Sequence, residues 1–338
     1  MTESKKAPYK WIAAKIETLD PYKDYEEIVR LTTCYHSNDF MNNLIYSITF
    51  PQLMKPEWAA RAIWREDGGK VLHKATVRCE DSEYHNMTWL FYGPSDKRCL
   101  DSIAYVNNLH ARLEAKVTPG CYGHNDDYIY TLASAALIGQ RFATTLGLPS
   151  LSPKQKIATH LFWQEMSKHF ESHHPNGERK SLTGFPKSWE DMEKWCEQHE
   201  KKDFGPPDPR SALITESVWE QFAFRFFPPG LRWLGRVMVV SLSNPQHIRD
   251  VGATDVHPIT RMVFLWLLSW VFWLLLFAPD PSPGEVPFEK QQAMSKEEKK
   301  VRLKGFVEED KKFCPYFAKA YMDKRPDCPY YVKLREEL

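Results

Sequence analysis

Apolar residues recur at helical spacing along most of this chain, and that pattern limits the possible folds more than any other feature. No stretch alternates polar and apolar residues over more than a few positions, as a half-buried strand would. Gly93-Pro94 and Gly147 are stop signals, and Ser152 and Ser188 are candidate N-caps. The sequence therefore predicts an all-α fold, with helices through Tyr25–Leu31 and over about residues 57–65, 77–92, 100–117 and 128–146.

Composition narrows the class of protein. The 338 residues suffice to bury a large core, and 45 Lys and Arg against 44 Asp and Glu leave a net charge of +1. That balance provides no field to attract nucleic acid, and no nucleic-acid partner is expected. The seven cysteines are scattered without a CxxC pair, and the N-terminus lacks a signal-peptide core. We expect reduced thiols and an intracellular protein, cytoplasmic or peripheral to the ER membrane and not secreted.

One apolar run, Met262 to Ala278, has no charged side chain and carries three tryptophans at helical spacing. As a helix it would rise about 25 Å, less than the ~30 Å hydrocarbon core of a bilayer. A buried core helix or a monotopic membrane contact is favoured over a short transmembrane span. The charged segment after Pro279 is predicted to be a solvated tail, and His173-His174, beside Pro175-Asn176-Gly177, a solvated loop.

His110 is the first residue that could perform chemistry. It lies three or four positions from Val106 and Leu113, on the apolar helical face of Ile103, Val106, Leu109, Leu113 and Val117. Its imidazole is therefore expected to face the core and to need a hydrogen-bond partner. Either it is a core histidine bonded to a carbonyl or carboxylate, or it is a metal ligand; an iron haem needs only one such protein ligand.

Arg78 and Ser82 form the second feature. Four residues apart on a helix, they share one face and can address the same anionic or oxygen-bearing group, such as a haem propionate. The alternative is a surface arginine paired with Glu80, Asp81 or Glu83.

Together these residues resemble a known family. An Arg-x3-Thr pattern followed some thirty residues later by a His-Ala pair is typical of the rubber oxygenases (latex clearing proteins) and the MpaB-type ER-bound oxygenases of fungal natural-product pathways. Here the counterparts are Arg78-x3-Ser82 and His110-Ala111. The downstream course is similar too, and the resemblance covers about residues 40–275.

The resemblance implies a single helical-bundle domain of the rubber-oxygenase type that encloses haem b. It implies His110 as the axial iron ligand, and Arg78 and Ser82 as residues that orient the haem or its oxygen. Ser82 replaces the family's threonine, Glu114 stands where the rubber-cleaving branch has an arginine, and Asp81 stands where that branch has a lysine. A carboxylate cannot play the part of the lysine amine. With Asp81 at this position, we expect a small lipophilic substrate and not a polymer.

The predicted function is thus a haem-b-dependent oxygenase, with dioxygen as co-substrate, that cleaves a carbon–carbon double bond of an isoprenoid, terpenoid or polyketide chain. Arg78, Asp81 and Ser82 are the candidate catalytic residues, and His110 is the candidate metal ligand. The predicted organisation is an N-terminal arm over residues 1–40, the oxygenase-like domain over 41–278 and the charged tail over 279–338. The alternatives are a haem-dependent hydroxylase, peroxygenase or cyclase on the same fold, and a non-enzymatic, membrane-associated helical scaffold.

Overall fold

The structure, a computed structural model, describes residues 9–322 and confirms the all-α class. One two-stranded antiparallel sheet, β1 (Glu171–His173) and β2 (Arg179–Ser181), is the exception that the sequence analysis did not predict. Ser172 pairs with Lys180 at the centre of this hairpin.

The described residues form sixteen α-helices. The first nine are α1 (Trp11–Thr18), α2 (Tyr25–Thr33), α3 (Asp39–Thr49), α4 (Glu57–Trp64), α5 (Gly69–His73), α6 (Ala75–Tyr92), α7 (Lys97–Lys116), α8 (Asn125–Thr145) and α9 (Pro153–Ser167). After the hairpin come α10 (Trp189–Glu200), α11 (Pro209–Phe226), α12 (Arg232–Leu242), α13 (Pro245–Asp250), α14 (Pro258–Leu275), α15 (Pro287–Ala293) and α16 (Lys296–Met322).

The predicted helix ends follow from local chemistry. Gly93 ends α6 with a φ of 78°, a conformation that glycine adopts without a Cβ penalty. Ser152 caps α9 in a full capping box with Gln155, and the Ser188 hydroxyl accepts from the Asp191 N–H at the start of α10. These boundary predictions are confirmed.

Helix α11 is the central element of the fold. It is buried almost all round, and it packs against α3, α4, α6, α12 and α16. Its buried acids have partners, since Glu216 and Glu220 both pair with Arg236 of α12, at 2.5 and 3.1 Å. The sequence analysis did not predict this helix.

The prediction of a solvated C-terminal tail is wrong as far as Met322. Phe313 and Phe317 of α16 have no exposed surface and belong to the main core cluster, together with Trp64 and Leu72. The Tyr321 hydroxyl donates to Glu220 at 2.6 Å, which ties the end of α16 to α11. The remainder of the predicted tail lies outside the described residues.

The segment described as an N-terminal arm also contributes to the core. Ile12 and Ile16 of α1 are buried against Ile28 and Leu31 of α2, and Ala158 of α9 completes the cluster. Helices α1 and α2 of this segment are therefore packed against the rest of the fold.

Helix α14 lies on the surface, so the expectation of a buried core helix is wrong. Only Leu268 is buried, whereas Met262, Trp266 and Trp270 are 64, 60 and 57% exposed. The helix is long and apolar enough to cross a membrane.

Candidate functional site

The buried stripe of α7 sets the position of His110. The buried residues of this helix are Cys99, Ser102, Ile103, Asn107 and Glu114, and Val117 is 47% exposed. The buried face of α7 therefore differs from the predicted apolar face, because it includes the polar side chains of Ser102, Asn107 and Glu114 and excludes Val117. His110 is half-buried on it, one turn after Asn107 and one turn before Glu114.

The predicted partner of His110 is present, and it is a phenol. The Tyr128 hydroxyl of α8 lies 3.2 Å from Nδ1 of His110, and the Tyr122 ring lies 4.7 Å from the imidazole ring, centroid to centroid. Burial, with help from His173 and Arg78, lowers the pKa of His110 to about 3. The imidazole is therefore neutral at physiological pH. When Nδ1 donates to Tyr128, the lone pair of Nε2 is free to bind a metal or accept a proton.

A loop stabilised by Glu114 places Tyr122 against His110. The buried Glu114 carboxylate accepts three backbone N–H groups, from Gly120 at 2.5 Å, Cys121 at 3.0 Å and Tyr122 at 2.9 Å. One side chain therefore satisfies three consecutive N–H groups between α7 and α8. Burial raises the pKa of Tyr122 to about 12, so its phenol stays protonated.

His173 is the most unusual residue of the site. It is 1% exposed, both of its ring nitrogens lack a hydrogen-bond partner, and its ring centroid lies 6.3 Å from that of His110. Its backbone N–H donates to the Tyr122 carbonyl at 2.8 Å, which attaches β1 to the loop. The prediction of a solvated loop is thus wrong for His173. Burial, followed by Arg179, lowers its pKa to about 4, so the ring is neutral.

Arg78 lies near this cluster and not in a surface ion pair. Its guanidinium covers the Phe50 ring at 4.4 Å, its Nε is buried without a partner, and its charge helps to lower the pKa of His110. Two of the three acids proposed as its surface partners are otherwise engaged, because Arg225 binds Glu80 at 2.7 Å and Cys79 donates to Glu83 at 3.2 Å.

Ser82 and Asp81 are placed differently. Ser82 is half-buried one turn after Arg78, and its hydroxyl donates to the Arg78 carbonyl at 3.1 Å. Asp81 is exposed and pairs with Lys70 at 3.0 Å. Arg78 is therefore the only one of these three residues whose charge acts on His110, and Asp81 stays on the surface.

Several residues of the site carried no local signal. Tyr122, Tyr128 and His173 come from three separate segments, and Arg65, at the end of α4, acts with Arg78 on the pKa of Tyr122. Within residues 9–322 no three His, Cys, Asp or Glu side chains converge as metal ligands. The site contains the imidazoles of His110 and His173, the guanidinium of Arg78, and the phenols of Tyr122 and Tyr128.

The comparisons with known proteins add no relative to this picture. No protein-family model matches the chain, and no curated protein matches it.

Proposed function

We propose that this protein is a haem-b-dependent oxygenase that acts on a lipophilic small molecule, an isoprenoid, terpenoid or polyketide chain, and cleaves a carbon–carbon double bond with dioxygen. The observation that carries the proposal is the environment of His110. Its neutral ring is bonded to Tyr128 through Nδ1 and lies beside His173, a fully buried imidazole without a partner. An unsatisfied buried imidazole is costly, and a bound group would offset that cost.

His110 and Arg78 are of the residue types that hold a haem iron and a haem propionate. His110 would hold the iron through Nε2, while Tyr128 holds Nδ1, as ligating histidines are commonly oriented by a partner on the other nitrogen. Arg78 would pair with a propionate. When bound, haem would supply the iron at which dioxygen is activated.

The chain itself would orient the reactants and exclude water. Tyr128 fixes the rotation of the imidazole, and Glu114 holds the loop that places Tyr122 beside it. The low pKa of His110 keeps Nε2 unprotonated and ready to ligate, and the half-buried ring of Tyr122 and the buried ring of His173 limit water at this point.

The first test is the absorption spectrum of protein produced in cells supplied with haem, with a pyridine haemochromogen assay for stoichiometry. We expect one haem b per chain, lost in His110→Ala and retained in the control His36→Ala, whose side chain is largely exposed. A colourless wild-type protein, or full haem occupancy in His110→Ala, would contradict the proposal.

The position of Asp81 favours a second reaction on the same haem site, namely hydroxylation, peroxygenation or oxidative ring closure. The side chain at this position points to Lys70 on the surface, so it gives the site no group like the lysine of the rubber-cleaving branch. Product mass separates the two reactions. Cleavage incorporates both oxygen atoms as carbonyls and yields fragments, whereas hydroxylation adds one oxygen to an intact substrate.

The exposed face of α14 favours a further candidate, a membrane-associated helical scaffold without haem. In that case the apolar helix would contact lipid, and His110 would be a core histidine satisfied by Tyr128. A purified protein that binds vesicles but never shows a Soret band would support the scaffold over the oxygenase.

A further inference from the structure

We infer that His173 is a second ligand of the haem iron that His110 holds, and that dioxygen binds this iron only after His173 has left it. The inference rests on the proposed function and adds to it the regulation of oxygen entry. It gives the β1–β2 hairpin, which carries His173, a part in that regulation.

His173 is the histidine whose ring is least satisfied in the described part of the chain. It is 1% exposed, and neither Nδ1 nor Nε2 has a hydrogen-bond partner within residues 9–322. Three other histidines with an unpartnered buried nitrogen, His174, His199 and His247, each have only one such atom. A neutral imidazole has one donor and one acceptor nitrogen, and a metal ion would satisfy the acceptor.

The separation of the His110 and His173 rings matches two ligands of one metal ion. Their centroids lie 6.3 Å apart, and the ring planes are inclined by 75°. Because imidazole nitrogens bind transition-metal ions at about 2 Å, two imidazoles on opposite sides of one ion have centroids about 6 Å apart. A histidine that instead hydrogen-bonds to a molecule bound on the ion would lie about 3 Å farther away. The observed distance therefore favours a second ligand.

Helix α7 positions both histidines. It carries His110, and one turn earlier its buried Asn107 binds the start of the hairpin through both ends of the amide. Nδ2 donates to the His169 carbonyl at 2.9 Å, and Oδ1 accepts from the Glu171 N–H at 3.3 Å. Because His173 follows two residues later in β1, contacts of the fold itself set its distance from His110.

Two imidazoles suit haem better than a bare metal ion. A bare ion needs at least a third protein ligand, and within residues 9–322 no three His, Cys, Asp or Glu side chains converge to hold one. Haem iron takes its remaining ligands from the porphyrin, so one or two protein ligands suffice.

The two histidines differ in how firmly they would hold the iron. Nδ1 of His110 is bonded to Tyr128 at 3.2 Å, whereas neither nitrogen of His173 has such a partner. A partner on the second nitrogen orients a ligating imidazole and raises its basicity. His110 is therefore the permanent ligand, and His173 is the one that leaves.

The spin state of the haem-loaded ferric protein tests this inference. Absorption and electron paramagnetic resonance spectra are compared for the wild type, His173→Phe and the control His169→Phe, whose side chain is 35% exposed. Two imidazole ligands make ferric haem low-spin, so the wild type and the control should be low-spin and His173→Phe high-spin. Cyanide should bind His173→Phe about tenfold or more tightly than the wild type, because it no longer displaces an internal ligand.

A second variant, His173→Met, keeps a ligand at this position and covers the case in which His173→Phe folds poorly. It should stay low-spin with a higher reduction potential than the wild type, because Met/His ligation raises the potential of haem. A high-spin wild type, a haem-loaded His173→Phe that stays low-spin, or an unchanged potential in His173→Met would overturn this inference alone. A wild type without haem would overturn the proposed function as well, so the two failures are distinct.

Discussion

Glu114 illustrates what a single buried carboxylate contributes at the residue scale. Because it accepts three backbone N–H groups of one turn, its removal leaves one buried and two part-buried donors without their partner. We expect Glu114→Ala to lower the free energy of unfolding by about 3 kcal/mol or more in urea denaturation. Glu197→Ala, an exposed change on α10, should stay within about 0.5 kcal/mol of wild type. Equal stability of the two variants would mean that the turn does not need the carboxylate.

His173 gives a prediction about pH. Its pKa is about 4 in the folded protein and 6.5 in the unfolded chain, so the unfolded state binds more protons below pH 6.5. The stabilising contribution of the neutral ring is complete above pH 6.5 and falls progressively towards pH 4. The pKa of His110, lowered to about 3, changes the stability with pH in the same direction. Glu83 acts in the opposite one, because burial raises its pKa to about 8 and its contribution falls as the pH rises from 4.5.

The variant His173→Phe isolates the contribution of His173 to the pH dependence of stability. This change removes two unpartnered nitrogens and the titration together, so ligand-free His173→Phe should be more stable than wild type at pH 7.5. It should also lose less free energy of unfolding between pH 7.5 and pH 5. The measurement is urea denaturation at both values, and a pH dependence identical to wild type would show that His173 does not titrate as described.

Local patterns predicted some of these residues and missed others for one physical reason. The caps at Ser152 and Ser188, and the need of His110 for a partner, depend on neighbours within a few positions. Tyr128 reaches His110 from another helix, and His173 reaches it from a strand more than sixty residues away. A single sequence does not encode those distances in its spacing, so the identity of the partners could not be predicted.

At the scale of elements, α16 shows how a charged composition conceals a core helix. Its first turns are dense in Lys and Glu, whereas Phe313, Phe317 and Tyr321 recur every four residues and face the core. That spacing was the available signal for a buried stripe. The charge density of the segment obscures that spacing, because charged side chains need only the solvent face of a helix.

The packing of α16 is tested by Phe317→Ala. Phe317 has no exposed surface and stacks on Tyr321 at 4.7 Å, so truncation leaves a cavity in the main core cluster. We expect a loss of about 3–5 kcal/mol in the free energy of unfolding. Val301→Ala in the same helix, where the side chain is 72% exposed, should change it by less than about 0.5 kcal/mol. A negligible effect of Phe317→Ala would contradict the packing of α16 in the core and would favour a solvated tail.

At the scale of the whole molecule, the contacts of α14 with the rest of the fold distinguish a transmembrane helix from a helix that lies in the membrane interface. Leu268 is buried in a core cluster with Val239 and Val240 of α12, and the Phe272 ring packs edge-on against Phe142 at 5.0 Å. The Trp273 Nε1–H donates to the Gly147 carbonyl at 3.2 Å. A transmembrane orientation would break these contacts and expose the side chains of α12 that Leu268 covers. A position in the plane of one leaflet keeps them and buries only the outer face.

We therefore expect the protein to bind lipid vesicles through the outer face of α14 without crossing them. Trp266→Glu combined with Trp270→Glu should abolish co-flotation with vesicles, since both side chains are largely exposed and neither is buried in the core. The control pair Tyr22→Glu and Tyr105→Glu, exposed aromatics outside α14, should float as wild type does. Brominated lipids should quench tryptophan fluorescence only at shallow positions, because an interfacial helix reaches about 5–10 Å into the leaflet. Quenching at the bilayer centre would instead favour a span, and absence of flotation in the wild type would leave the face of α14 to another partner.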